Sequence, residues 1–196
     1  MLELHVIRHG ETQANAERRY QGALDLPLGA EGLRQAGELA ARLPAEVDAI
    51  VVSLLLRARQ TAEAILANRA LPLFTLAAFR ERDVGVFEGL TRDEARARHA
   101  SLWERNVTRR WAEAPPGGET IAQVVERVQG GLEELSSRFA GRSVVLVAHG
   151  FVGKCIRALV REDFSDFFEW QLPNASVLQL TLERIPACPE HDPLTV

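Results

Sequence analysis

The sequence predicts an α/β fold, a three-layer sandwich whose largely parallel central sheet is flanked by helices. Two observations predict it. The runs at 48–53 and 143–148 are almost continuously apolar, as strands covered on both faces require, and 2–9 is rich in Leu, Val and Ile. Between them lie stretches with apolar residues at helical spacing, so strands and helices alternate along the chain. At 196 residues, 46% hydrophobic and 26% charged, the chain suffices for one domain with its own core and reads as soluble. A net charge of −4 argues against a nucleic-acid surface. No apolar run approaches membrane-spanning length.

The elements follow in order. Residues 2–9 form the first strand, in which His5 has a packing role. Residues 10–30, with Gly22, Pro27 and Gly29, form a long loop, and its place beside His9 makes it functional. Residues 30–43 are a helix with Leu33, Ala36, Ala40 and Leu43 on one face. The second strand, 48–53, precedes a helix over 55–67, and 73–76 is a short third strand. Residues 79–90 are irregular and charged. Thr91 and Glu94 make a capping-box pattern that opens a helix to about residue 106. Residues 92–120 are read as a helical lid or insertion on a single domain spanning 1–196.

Pro115 to Gly118, Pro-Pro-Gly-Gly, is a turn, and Thr120 with Gln123 repeats the capping-box signal. The following helix has the clearest periodicity, with Ile121, Val124, Val125, Val128, Leu132, Leu135 and Phe139 on one face. A buried strand at 143–148, a helix at 151–160 and a last strand at 176–183 complete the pattern. Cys155 packs in its helix, and Cys155 and Cys188 form no metal-type cluster. Two such thiols suit a reducing compartment, with a bond between them left open. Met1 leads straight into a strand with no secretory pattern. A cytoplasmic protein without metal or cofactor is expected.

Function is read from where the polar residues fall. In open α/β sheets, ligands bind beyond the carboxyl ends of the parallel strands. Arg8, His9 and Gly10 close the first strand. Arg57 lies just past the second, at a helix start where backbone N–H groups are free. Glu81 lies past the third, and His149 with Gly150 closes 143–148. If these strands are parallel neighbours, two histidines, two arginines and a carboxylate meet on one rim.

That set suits phosphoryl transfer through a phosphohistidine. Arg8 and Arg57 would neutralise phosphate oxygens. His9 would attack phosphorus with one ring nitrogen while the other donates its proton to a carbonyl and fixes the tautomer. His149 would contact the phosphate as a protonated ring. Glu81 would protonate the leaving oxygen and then deprotonate water. Asp83 and Glu88 compete with it in the same loop. Gly10, lacking a side chain, would let backbone and ligand approach.

These residues resemble the histidine phosphatase superfamily, also called phosphoglycerate mutase-like. Arg8-His9-Gly10-Glu11-Thr12 with Asn15 matches its opening signature. Ser53, Leu55, Arg57-Ala58 and Gln60-Thr61-Ala62 match its second block, and Phe79-Arg80-Glu81 through Glu88-Gly89-Leu90-Thr91 the acid-bearing segment. The Pro115 to Thr120 turn and Val147-Ala148-His149-Gly150 complete the series. The resemblance implies His9 as the phosphorylated nucleophile and Glu81 as proton donor. It assigns phosphate binding to Arg8, Arg57, His149 and Gly150, and a further phosphate or substrate contact to Asn15.

The short chain resembles the compact phosphatase branch that includes α-ribazole phosphatases. The implied activity is hydrolysis of a small phosphomonoester, with phosphoglycerate mutase and a phosphohistidine or phosphotyrosine protein phosphatase as rivals. Three positions depart from the pattern: Leu54 replaces a common Asp or Pro, Gly29 a helix-capping Thr, and Phe151 the Asn usual in cofactor-dependent mutases. Trp103, Trp111 and Phe87 line either the pocket or the core. Oligomeric state and the physiological substrate are not legible.

Overall fold

A computed structural model describes residues 1–67 and 69–194. Its sheet has the order β3-β2-β4-β1-β5. The strands are β1 (Leu2–Arg8), β2 (Ala49–Val52), β3 (Leu73–Thr75), β4 (Ser143–Ala148) and β5 (Val177–Leu182). β1, β4, β2 and β3 run parallel, and β5 pairs antiparallel with β1 at the edge.

Because successive strand side chains point to opposite faces, each apolar run feeds two cores. On one face Leu4, Val6, Val144 and Leu146 meet α6 (Ile121–Arg138) and α7 (Gly150–Arg161). On the other, Ile7, Ile50, Val145 and Val147 meet α2 (Ala30–Leu39) and α3 (Leu56–Leu66). This is the expected three-layer sandwich. The predicted face of α6 is buried in full, and burying each Val or Leu contributes about 1.5–3 kcal/mol. Both capping boxes form, Thr91 with Glu94 and Thr120 with Gln123. Gly29 stands at the start of α2 without a side-chain cap. His5 is buried and meets Ser143 Oγ at 3.1 Å. Both cysteines are free, with Cys155 buried in α7. Among the described residues no helix is long and apolar enough to cross a membrane.

Three expectations need correction. The 10–30 loop contains a short helix, α1 (Gln13–Ala16), capped by Thr12 and Asn15. The helix expected over 91–106 breaks into α4 (Arg92–Arg98) and α5 (Ala100–Glu104). At the break His99 leaves helical backbone space (φ −133°, ψ 48°) and its ring packs edge-on against Phe87. Leu33 is 51% exposed, and the α2 face is carried by Ala36 and Leu39 instead.

Parallel order aligns the carboxyl ends of β1, β4 and β2. The ladder runs on past the strands, with His9 N–H donating to Ala148 O (3.1 Å) and Ser53 N–H to Val147 O (3.0 Å). One rim therefore carries His9, His149 and Ser53.

Candidate active site

The rim brings the two histidines together, ring centroids 5.2 Å apart. His9 is 3% exposed and His149 fully buried. His9 Nδ1 lies 2.7 Å from Gly10 O. A carbonyl only accepts, so Nδ1 carries the proton and Nε2 the lone pair. Arg57 Nε donates to that lone pair at 3.2 Å. Burial, then the charges of Arg57 and Arg8, push the His9 pKa well below its ordinary value. The ring is neutral.

His149 Nε2 pairs with Ser53 Oγ at 2.7 Å, while its buried Nδ1 has no partner. Burial, then Arg57, His9 and Arg8, lower its pKa well below the ordinary range. Burial first, and then the neighbouring guanidinium groups, disfavour a positive His149 by themselves, so the protonated ring expected against phosphate needs the phosphate charge to favour it.

Arg57 is fully buried and pairs with neither Glu63 nor Asp83; it donates to Leu24 O (2.7 Å) and Gly22 O (2.9 Å). It thereby ties the 10–30 loop to the rim. Arg8 donates to Leu172 O (2.9 Å), and its buried Nε has no partner. Gly150 makes room for Arg8, since a Cβ there would sit 3.3 Å from the guanidinium carbon. Gly10 is required by packing, because a Cβ would lie 2.3 Å from Gly32 O in α2.

Glu81 accepts from the backbone N–H groups of Arg82 (2.9 Å) and Phe151 (3.1 Å), the latter in the first turn of α7. Its rivals are engaged elsewhere. Asp83 accepts from Gly85 N–H, and Glu88 holds Gly22 N–H and Ala23 N–H. The Glu81 segment is itself pinned from α6. Arg127 donates to Ala78 O (2.7 Å), Arg80 O (2.8 Å) and Glu81 O (3.3 Å), and to both oxygens of Glu119. Glu119 also accepts from Asp83 N–H at 3.0 Å.

Burial raises the Glu119 pKa, but the hydrogen bonds from Arg127 and Asp83 outweigh it, and the net shift is downward. A depressed folded-state pKa contributes stability above the ordinary carboxylate range, lost as pH falls through the lowered value. Arg127→Ala is expected to cost about 1–3 kcal/mol, because Ala78 O, Arg80 O and Glu81 O lose their donor while Glu119 keeps only Arg80 (2.7 Å) and Asp83 N–H. A urea midpoint unchanged at neutral pH would contradict this.

Asn15 and Asn174 extend the site. Asn174 Nδ2 donates to His9 O (3.0 Å) and Asn15 Oδ1 (3.2 Å). Both asparagines, with Arg8, line a cavity of about 680 Å³ whose walls include Tyr20, Phe87 and Trp103. Trp111 instead packs edge-on against Phe164 beside the core. Among the described residues no group of three potential ligands could hold a metal ion. The partners Ser53, Asn174 and Arg127 were not foreseen as site residues. Ser53 alone left a signal, its place at the carboxyl end of β2.

Comparison with known proteins gives a consistent picture. The model of the histidine phosphatase superfamily (branch 1) matches residues 4–185. Phosphoserine phosphatase 1 of Hydrogenobacter thermophilus is 34% identical over 93% of this chain and 88% of its own length. A probable phosphoglycerate mutase, GpmB, of Klebsiella pneumoniae is 35% identical over 80% of this chain and 73% of its own. The crystal structure of the α-ribazole phosphatase from Shigella flexneri superposes with a TM-score of 0.82 at 26% identity, covering 95% of this chain and 93% of that one.

Proposed function

The chain belongs to the histidine phosphatase superfamily, and from that premise we propose that it is a metal-independent phosphatase of small phosphomonoesters working through a phosphohistidine at His9. The observation that supports this most is the tautomer of His9. Gly10 O holds the Nδ1 proton, so the lone pair sits on Nε2, next to Arg57 and near Arg8 and His149. A buried neutral nucleophile beside fixed cations is set up for a phosphate dianion.

In the first step an Nε2–P bond forms as the ester P–O bond breaks. Arg57 Nε exchanges its bond to Nε2 for one to a phosphate oxygen, and Arg8 Nε finds its partner there. Glu81, entering as the acid, gives its proton to the leaving oxygen, and the alcohol departs. In the second step Glu81 takes a proton from water, whose oxygen attacks phosphorus. The N–P bond breaks and its electron pair returns to Nε2. Phosphate leaves, and Glu81 has regained its proton. The dianion favours a protonated His149, in which Nε2–H donates to Ser53 Oγ and Nδ1–H to the phosphate.

The α4–α5 segment, within 92–120, acts in this reading as a lid over the cavity. Two free cysteines support a cytoplasmic location. Phosphate release from p-nitrophenyl phosphate with EDTA present tests the assignment; its absence would count against a phosphatase. Mutase chemistry must hold an intermediate away from water. With 3-phosphoglycerate and a bisphosphoglycerate primer, phosphate release should outrun isomerisation; the reverse order would favour the mutase.

Because burial, Arg57 and Arg8 keep His9 neutral, activity should persist to below pH 6.5, the ordinary histidine value. A kcat/KM profile, corrected for substrate ionisation, whose acid limb from His9 fell at or above that value would contradict this.

A further inference from the structure

The two oxygens of Glu81 are held by two backbone donors, the N–H groups of Arg82 and Phe151. The Phe151 N–H lies in the first turn of α7, where helical N–H groups have no partner within the helix. The two donor residues come from separate elements, one from the loop after β3 and the other from α7. Their side chains nevertheless meet. The Arg82 guanidinium lies over the Phe151 ring, 5.1 Å from its centroid, within the range of a cation–π contact. Phe167 packs edge-on against the same ring, with centroids 5.5 Å apart.

The guanidinium is fixed from two further directions. Nε donates to Glu119 O (2.9 Å), just ahead of the Thr120 cap of α6, and Nη1 donates to Thr108 O (2.7 Å) in the 92–120 segment. Glu81, Arg82, Thr108 and Phe151 together line a small cavity of about 190 Å³.

This arginine is held at a cost. Arg82 is 2% exposed. Among the described residues no carboxylate pairs with it, and its buried Nη2 has no partner. Burial pushes its pKa down to about 10. A buried cation without a paired anion is unfavourable, and a leucine or methionine would cover the Phe151 ring without that penalty. Packing alone therefore does not account for it.

We propose that the stacked pair of Arg82 and Phe151 is the positioning element of the acid–base carboxylate: it fixes the two backbone donors relative to each other and so aims Glu81 at the leaving oxygen. The proposal rests on the phosphatase reading above, with Glu81 as its acid. Arg82 and the Phe151 ring act through Glu81, not on the reacting atoms.

The test uses Arg82→Met, which keeps an apolar stem but removes the charge and the donors, and Phe151→Leu, which keeps the backbone N–H but removes the ring. kcat/KM is measured on glycerol 2-phosphate, an alkyl ester, and on p-nitrophenyl phosphate. A misplacement of about 1 Å can cost about 10²-fold, so each variant should lose roughly ten- to a hundredfold on the alkyl ester. The loss on p-nitrophenyl phosphate should be much smaller, because its leaving group needs no proton. Phe151→Tyr, which keeps the ring, should lose little on either. In a Glu81→Gln background neither Arg82→Met nor Phe151→Leu should cost anything further on the alkyl ester, since no proton is left to place.

Equal losses on both esters, a full further loss in the Glu81→Gln background, or an undiminished kcat/KM in either variant would overturn the proposal. Should Arg82→Met fail to fold, Phe151→Leu decides by the same criteria. Glu81→Gln alone separates the two levels. If it discriminates between the esters while the positioning variants do not, only the positioning role fails. If it lowers kcat/KM equally on both, the acid assignment fails and takes the positioning role with it.

Discussion

Alanine in place of His9 is expected to lower phosphate release by roughly 10⁴-fold or more, the scale on which removing a covalent nucleophile acts. His9 is buried and held at both ring nitrogens, by Gly10 O and by Arg57 Nε, so no neighbouring group can take its place without rebuilding the rim. His149, whose Nε2 is engaged with Ser53, is not an alternative nucleophile at the same position. Circular dichroism should show an intact fold, because the core clusters on both faces of the sheet exclude His9. Retained turnover would remove the residue from the mechanism.

The same variant has an effect on stability. The folded-state pKa of His9 lies well below the unfolded value near 6.5. Between those two values the unfolded chain binds the proton and the folded chain resists it, so the wild type loses stability as pH falls below 6.5. His9→Ala should lose less over that window. Equal acid sensitivity in chemical denaturation would mean that His9 is not the group kept neutral.

Replacing Glu81 by glutamine should lower kcat/KM on alkyl phosphates by about 10²–10⁴-fold, the usual contribution of general acid–base assistance. The loss in kcat/KM on p-nitrophenyl phosphate should be much smaller, since that constant ends at release of the leaving group, which departs without a proton. By contrast, kcat falls on both substrates, because the phosphoenzyme loses its base for water. The amide oxygen of glutamine still accepts from Arg82 or Phe151 N–H, so the loop keeps much of its geometry while the transferable proton is lost. Equal losses of kcat/KM on both substrates would contradict an acid role and point to a purely structural one.

The parts of the fold visible in the sequence are those written in local pattern. Residues 144–148 are apolar without interruption because β4 lies between two strands and under helices on both faces. The convergence of His9, Arg57 and His149 followed from polar residues standing at the ends of such runs. Two of the partners around them left no local trace. Asn174 reaches His9 O across 165 positions and Arg127 reaches Glu81 O across 46, so both look like ordinary residues in their own neighbourhoods. The helix α1 has four residues and no apolar period, and only its cap geometry reveals it.

Everything proposed for catalysis depends on phosphorus becoming bonded to one imidazole nitrogen. Rapid quenching during turnover of a labelled phosphomonoester, followed by peptide mapping, addresses this directly. The account predicts a label on the peptide containing His9, stable to alkali and released by acid, and absent from the His9→Ala protein. A label stable in acid and lost in alkali, or one carried by Glu81 or any serine, would contradict it.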